Sequence, residues 1–76
     1  MKRLSNNATV IFRYLYQDTT HDLAIPEIYK KLELLSGDEK EVEYELSSLG
    51  LIQVENGSNN NLFHKISEYG KRVYES

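Results

Sequence analysis

The densest group of chemically active side chains lies between Asp38 and Glu45, where five acids accompany one base, Lys40. Paired carboxylates perform general acid–base chemistry only in a cleft that shifts the pKa of one of them. We predict that this segment is a helix and that its glutamates lie on one exposed, solvated face. We therefore expect no catalytic residues and a protein that is not an enzyme.

Other reactive groups are sparse in the sequence. There is no cysteine, which excludes disulfides, thiolate zinc sites and cysteine nucleophiles. The two histidines fall in different predicted elements without a second ligand at metal-binding spacing, and we interpret His21 as a surface loop residue and His64 as a strand residue. No Gly-rich phosphate loop or activated-serine motif occurs. We expect neither a metal nor a cofactor.

The length of 76 residues predicts a single domain, residues 1–76. No segment approaches the roughly 20 apolar residues of a membrane span, and the N-terminus lacks a signal-peptide pattern. We expect a complete, soluble, cytoplasmic protein. The net charge is −3, from 9 Lys and Arg against 12 Asp and Glu. Because a nucleic-acid-binding domain usually carries a basic excess, at least locally, the distribution of charge matters more than its total.

Local signals predict two helices in the first half of the chain. The first begins at Ser5 or Asn6, both favourable N-caps. Residues 23–25 allow one short strand. Pro26 fits the first position of the second helix, where its missing N–H costs nothing, and this helix ends near Leu34.

The second half predicts a helix, a hairpin and a last helix. Residues 36–39 spell S-x-x-E, a capping box for the third helix, and Gly50 is the expected stop. Residues 51–54 and 62–66 are short strands, and Asn56–Gly57 is a strong hairpin signal between them, although the loop can be longer. Ser67 caps the last helix, and Gly70 weakens that helix by about 1 kcal/mol relative to alanine.

The apolar spacing also predicts the core. Its members are the residues that recur at helical spacing on each helix together with strand residues that face the helices. They are Val10, Ile11, Tyr14, Leu15, Ile28, Leu32, Val42, Leu46, Leu49, Ile52, Phe63, Ile66 and Val73.

Two phrases, LSSLGLI at 46–52 and HKISEYGKRVYE at 64–75, resemble the winged helix-turn-helix domains of small MarR-like and PadR-like regulators. In those groups a helix ends in a leucine-rich turn before GLI, and the second strand ends in L/I-T-x-x-G, matched here by Ile66, Ser67 and Gly70. The resemblance covers about residues 8–75. It implies an α+β, mainly α fold with three helices, a two- or three-stranded hairpin wing and a short C-terminal helix.

The resemblance implies a DNA-binding transcriptional regulator whose third helix enters the major groove. Each carboxylate held near a phosphate costs on the order of 0.5–1 kcal/mol, so the acidic third helix opposes binding. The wing tip offers asparagines, which release no counterions. We expect any DNA binding to be weak and steeply salt-dependent, with Lys30, Lys31 and the wing contributing more than the acidic helix.

The acidic helix keeps two alternatives open. The domain could be a protein-interaction module that binds a basic partner, or the helix could imitate DNA in a partner's basic groove. Six tyrosines are compatible with a homodimer through the first and last helices. The residues predicted to contact nucleic acid or a partner are Lys30, Lys31, Lys40, Glu39, Glu43, Asn59, Asn60 and Lys65.

Overall fold

The computed structural model describes residues 3–57 and 60–76. The fold is α+β and mainly helical, with four helices and a two-stranded antiparallel hairpin, as predicted. In chain order the elements are α1 (Asn6–Gln17), α2 (Ile25–Leu32), α3 (Glu39–Ser48), β1 (Ile52–Asn56), β2 (Leu62–Ile66) and α4 (Glu68–Glu75). Within the described residues, no helix is long and apolar enough to cross a membrane.

The N-terminal cap of α1 is the predicted one. The Ser5 hydroxyl accepts a hydrogen bond from the Ala8 N–H at 3.3 Å, which satisfies one of the free amide groups at the start of the helix. Behind this cap, Ile11 and Leu15 are buried, one turn apart. The cap therefore fixes where α1 begins, and the apolar spacing fixes which side it buries.

The bounds of α2 differ from the prediction. The helix begins at Ile25, so Pro26 is its second residue, and the Glu27 carboxylate accepts from the Ala24 N–H at 2.9 Å. It ends at Leu32 because Glu33 adopts a left-handed conformation with φ 58°. Residues 23–25 do not form the predicted strand. They make a single backbone hydrogen bond to the hairpin, from the His64 N–H to the Leu23 carbonyl at 3.2 Å.

The predicted capping box of α3 is not formed. The N-cap is Asp38 rather than Ser36, and its side chain makes no capping bond. Glu39 instead accepts from the Gly37 N–H at 2.7 Å. The Asp38 carboxylate turns toward α1 and α2, where buried polar groups need an acceptor.

The other end of α3 follows the prediction. Gly50 has φ 74°, which glycine adopts without a steric penalty. The Leu51 N–H bonds the Leu46 carbonyl at 3.0 Å and the Gly50 N–H bonds the Ser47 carbonyl at 2.9 Å. These two bonds form a Schellman motif, which ends the helix and directs the chain into β1.

The hairpin pairs β1 and β2 without a bulge. Ile52 lies opposite Ile66 and Val54 opposite His64, and the last pair is Asn56 with Leu62. The predicted bounds of β2 are confirmed, whereas β1 is shifted toward the turn. The loop is longer than two residues and is closed by the Gly57 N–H bonded to the Asn61 carbonyl at 2.7 Å.

The core confirms most of the predicted residues. Ile11, Leu15, Ile28, Val42, Leu46, Ile52, Phe63 and Ile66 are buried, whereas Val10, Tyr14, Leu49 and Val73 are half-buried. The prediction for Leu32 is wrong, because this side chain is 36% exposed. Buried residues that the prediction missed are Ala8, Phe12, Ile25, Tyr29 and Leu51.

The geometry of α2 explains why Tyr29 is buried and Leu32 is not. Ile25, Ile28 and Tyr29 follow the i, i+3, i+4 spacing of one helix face, and all three are buried. The helix ends at Leu32, so the stripe does not continue to Leu35, which is 89% exposed.

Packing at the start of α4 requires Gly70. Ser67 caps the helix by accepting from the Gly70 N–H at 2.8 Å, as predicted, and donates to the Gly50 carbonyl at 2.7 Å. A Cβ atom at position 70 would collide with the Leu51 carbonyl oxygen. The glycine therefore lets α4 approach the backbone that leads into β1. At the other end of α4, Tyr74 stacks on Tyr16 of α1 with ring centroids 4.1 Å apart.

Candidate functional site

The side of α3 that points away from the core carries a mixed set of residues. We call it the outward face of α3; its members, all exposed, are Lys40, Glu41, Tyr44, Ser47 and Ser48. Val42 and Leu46 are buried on the opposite side. With 3.6 residues per turn, Tyr44 lies diametrically opposite the midpoint of those two side chains. Tyr44 is 76% exposed and therefore occupies the centre of this face.

One acid of α3 is turned toward the start of α1. The Glu45 carboxylate accepts from the Ser5 backbone N–H at 2.8 Å and from the Ser5 hydroxyl at 2.9 Å. Because Ser5 is the N-cap of α1, the two bonds connect the middle of α3 to the first turn of another helix. Glu45 thus supports the packing of α1 on α3.

A second acid contacts the hairpin. The Glu43 carboxylate lies 3.3 Å from His64 Nε2, and His64 Nδ1 accepts from the Ile25 N–H, also at 3.3 Å. A ring whose Nδ1 accepts a hydrogen bond carries its hydrogen on Nε2. The Nε2–H of His64 therefore donates a hydrogen bond to the Glu43 carboxylate. The buried His64 therefore links α3, β2 and the start of α2 through one imidazole ring.

A third acid satisfies a buried tyrosine. The Tyr29 hydroxyl donates to Asp38 Oδ1 at 2.7 Å, and Asn7 Nδ2 donates to the same carboxylate at 3.1 Å. Burial, together with the hydrogen bond to Asp38, raises the pKa of Tyr29, so the hydroxyl stays protonated and acts as a donor. Asp38 thereby joins the first turn of α1 to α2.

The expectation that the acids form one solvated face is therefore wrong. Asp38, Glu39, Glu43 and Glu45 accept hydrogen bonds on the flanks of α3. Among the described residues, Glu41 has no hydrogen-bonding or ion-pair partner. The other four therefore point away from the outward face, toward partners in neighbouring segments of the chain.

A shallow groove borders the outward face on the α1 side. It measures about 390 Å³ and is lined by Arg3, Ser5, Tyr44, Glu45, Ser48 and Leu49. Arg3 is exposed, and no described carboxylate lies within salt-bridge distance of Arg3 or Lys40. An exposed tyrosine ring and an unpaired guanidinium thus occupy one concave surface.

The predicted lysines do not form one patch with α3. Lys31 donates to the Tyr14 hydroxyl at 3.2 Å and lies 5.5 Å from the centre of that ring, while Lys30 is exposed nearby on α2. Lys65 lies 5.6 Å from the centre of the Phe63 ring. Because neighbouring strand residues point to opposite faces and His64 contacts α3, Lys65 faces away from α3.

The remaining predicted positions are divided as well. Lys40 belongs to the outward face, whereas Glu39 and Glu43 lie on its flank. Asn60 is exposed in the hairpin loop with φ 62°. Asn59 lies outside the described residues. Lys40 is thus the predicted lysine that lies in the candidate site, and Lys31 and Lys65 lie elsewhere on the molecule.

The interpretation of His21 as a surface residue is wrong. The side chain is buried between the rings of Tyr14 and Phe63, with centroids at 5.4 and 6.5 Å. Its Nδ1 accepts from the Leu23 N–H at 3.0 Å, and Nε2 has no partner among the described residues. Burial lowers the pKa of His21. In the described part of the chain, no three potential ligands gather to hold a metal ion.

The sequence prediction missed five residues of the candidate site: Arg3, Glu41, Tyr44, Ser47 and Ser48. A signal for four of them was available. Once Val42 and Leu46 are assigned to the core, helical geometry places Tyr44 at the centre of the opposite side. The position of Arg3 depends on how α1 packs on α3, which the local sequence does not encode.

The sequence matches no protein-family model, and no curated protein or solved structure is significantly similar to it. Functional assignment therefore rests on the outward face of α3 and its surroundings.

Proposed function

We propose that this chain is a small winged-helix DNA-binding protein that acts in transcriptional regulation. The outward face of α3 enters the major groove, and the β1–β2 hairpin is the wing. The observation that carries the proposal is that the acids bonded on the flanks leave Tyr44 at the centre of that face. Lys40, Ser47 and Ser48 surround this tyrosine.

The order of elements supports the proposal. α2 and α3 are joined by a short turn, and an antiparallel hairpin follows α3 immediately. A helix-turn-helix protein presents its second helix to the major groove, which is wide enough for an α-helix with its side chains. The Glu43–His64 contact fixes the hairpin beside α3, so both elements can meet one duplex.

The side chains of the outward face suit contacts with a duplex. The Ser47 hydroxyl can donate and accept, whereas the Ser48 hydroxyl donates to the Glu45 carbonyl at 3.1 Å and keeps its acceptor lone pairs. Serine contacts bases and phosphates in protein–DNA complexes. Lys40 and Arg3 supply positive charge, and neither has a carboxylate partner among the residues that the structure describes. If these two cations make the phosphate contacts, the logarithm of the binding constant falls with the logarithm of salt concentration with a slope of about −2.

The flanking acids limit the affinity. Each carboxylate costs on the order of 0.5–1 kcal/mol near a phosphate. Unusually weak binding is consequently part of the proposal, and measurements at low ionic strength are required to observe it.

Fluorescence anisotropy with mixed-sequence duplexes at low salt tests the proposal. We expect binding that Lys40→Glu abolishes and Tyr44→Ala weakens. Lys30→Glu is the matched control, because it makes the same charge change on an exposed lysine of another helix and should weaken binding less. No binding at about 100 µM protein, or equal losses from both lysine variants, would overturn the proposal.

A specific observation favours a second candidate, a protein-interaction module. Val54 and Leu62 are 50% and 57% exposed. Both lie on the hairpin face that carries His64, because directly opposed and alternate residues share a face. Val54 and Leu62 thus expose apolar surface on the hairpin face that is turned toward α3, and an acid of α3 without a described partner, Glu41, would attract a basic partner.

Titration with an amphipathic peptide of lysine and leucine tests this candidate. We expect NMR shift changes at Val54 and Leu62, and weaker binding by Glu41→Gln and Val54→Thr. Peptide-induced changes confined to other residues would contradict it.

A further inference from the structure

The two edges of the hairpin are not equivalent. The outer edge of β2 is engaged by the segment before α2, since the His64 N–H bonds the Leu23 carbonyl. On the other side, the described residues offer no backbone partner to the outer edge of β1. We call it the open edge, because in the described part of the chain it has no backbone partner and its residues Gln53, Val54 and Asn56 are exposed.

The register identifies which groups point outward from β1. Because the His64 N–H points away from β1, the pair of His64 and Val54 is of the non-hydrogen-bonded type. The Val54 N–H and carbonyl consequently point to the open edge. By the alternation of an antiparallel ladder, the same holds for Ile52 and Asn56.

Hydrogen bonds at both ends of the hairpin agree with this assignment. The Gly57 N–H bonds the Asn61 carbonyl, and the Ser67 N–H bonds the Leu51 carbonyl at 2.9 Å. These neighbouring positions are of the hydrogen-bonded type, so Ile52 and Asn56 must be of the other type. The outer edge accordingly carries three donors and three acceptors in a regular row. Those of Val54 and Asn56 belong to exposed residues, whereas Ile52 is 7% exposed and its groups lie at the core end of the strand.

The open edge lacks three of the features that keep strands apart, namely lysine, proline and a bulge. The sequence IQVEN of β1 contains neither lysine nor proline, and its pairing with β2 is free of bulges. Val54, at the centre of the strand, leaves half of its surface in water. A strand with these properties is a template for another strand.

We propose that β1 pairs antiparallel with β1 of a second copy of this chain, about a two-fold axis at Val54. This axis places Val54 opposite the partner's Val54 and Ile52 opposite the partner's Asn56. All three outward-pointing residues then form hydrogen-bonded pairs, giving about six bonds between the copies. The two hairpins become one four-stranded sheet.

The side chains are compatible with this symmetry. Glu55 is the only charged residue of β1, and the axis places it opposite the partner's Gln53 rather than opposite a second carboxylate. Within one chain, Gln53 Nε2 already donates to Glu55 Oε2 at 2.6 Å, which shows that these two side chains can bond. Self-pairing therefore opposes no two like charges directly.

The dimer is weak and depends on concentration. Five residues of each strand bury much less than the roughly 1,200 Å² of a stable interface. Because the open edge of β1 is separate from the outward face of α3, this inference does not depend on DNA binding.

Cysteine cross-linking tests the axis directly, because the chain contains no cysteine. In Val54→Cys the two Cα atoms are about 5.5 Å apart, within disulfide range. We expect this variant to form a disulfide-linked dimer on mild oxidation. Asn56→Cys is the matched control: it is also exposed on the same edge, but its partner is Ile52, so it should cross-link at least ten times more slowly. Equal rates would overturn the proposed axis.

Sedimentation equilibrium over a concentration series tests the association itself. We expect the wild-type chain and Val54→Thr to dimerise, whereas Val54→Lys, which opposes two lysines at the axis, should raise the dissociation constant at least tenfold. Circular dichroism verifies that each variant is folded. A monomer at every concentration, or a dimer that Val54→Lys leaves intact, would overturn the inference.

Discussion

The flanks and the outward face of α3 use similar residues in different ways. On the flanks, Asp38, Glu43 and Glu45 each accept hydrogen bonds from other elements. On the outward face, Glu41 has no such partner among the described residues. The difference shows that the acidic composition of a helix does not describe the surface that it offers to a partner. Most carboxylates of α3 connect α1, α2 and the hairpin.

The two buried histidines show a similar contrast. His64 uses both nitrogens, one toward the Ile25 N–H and the other toward Glu43. His21 uses one nitrogen, and its Nε2 is without a partner among the described residues. A carboxylate of α3 therefore completes the hydrogen bonds of one imidazole and not of the other.

The largest effect on stability is expected from Asp38→Ala. The substitution removes the acceptor of the buried Tyr29 hydroxyl and of Asn7. An unsatisfied buried donor costs about 1–3 kcal/mol, and urea unfolding should show a loss of this size. Asp38→Asn, which keeps an acceptor oxygen, should lose less. Equal unfolding free energies for the alanine variant and the wild-type chain would contradict the assigned role.

A smaller loss is expected from Glu45→Ala. The Ser5 N–H and hydroxyl lose their acceptor, but both are exposed and water replaces it in part. We expect about 1 kcal/mol, the usual value for a helix-capping interaction. In a double-mutant cycle with Ser5→Ala, the two losses should add to more than the loss of the double variant. Strict additivity would show that the bond between the Ser5 hydroxyl and Glu45 does not contribute, because Ser5→Ala leaves the backbone N–H bond in place.

Local signals account for the parts of the fold that were predicted. Ser5 and Ser67 cap helices, and Gly50 ends α3, because each acts through bonds within a few residues. Strand β2 follows from its composition and the hairpin signal. These features depend on short-range geometry, which the sequence encodes directly.

Features that depend on packing were predicted poorly. The capping box at Ser36 was favoured by its pattern, but the chain turns at Asp38, whose carboxylate is required by Tyr29. The contact between Glu43 and His64 joins residues far apart in sequence. Of the candidate site, Lys40 was predicted, whereas the distinction between bonded and unbonded acids required the tertiary structure.

The free energy of unfolding should depend on pH through His21, a buried imidazole whose Nε2 has no partner among the described residues. Burial lowers its pKa below 6.5, and the nearby carboxylates of Asp18 and Asp22 offset part of this effect. As the pH falls, the unfolded chain therefore binds a proton at His21 before the folded chain does. This contribution to the free energy of unfolding is at its maximum above pH 6.5 and decreases as the pH drops toward the lower pKa of the folded state. Urea unfolding between about pH 7 and 5 measures the slope.

His21→Gln provides the control for this slope. Glutamine does not titrate, so the variant should lose less stability than the wild-type chain over the same pH interval. Because other titrating groups are common to both proteins, the difference between the two slopes isolates His21. Parallel slopes would show that protonation of this residue is not linked to unfolding.

The smallest change in stability is expected from Glu41→Gln. This residue has no described partner, so its unfolding free energy should stay within about 0.5 kcal/mol of the wild-type value. Glu43→Gln removes the same charge from the flank and should destabilise the chain more, because it weakens the contact with His64. If the outward face of α3 meets DNA, Glu41→Gln should also tighten binding by about two- to fivefold, since one carboxylate near phosphate costs on the order of 0.5–1 kcal/mol. Tighter binding at unchanged stability would separate the outward face from the flanks, and equal effects of both variants on stability and binding would remove that distinction.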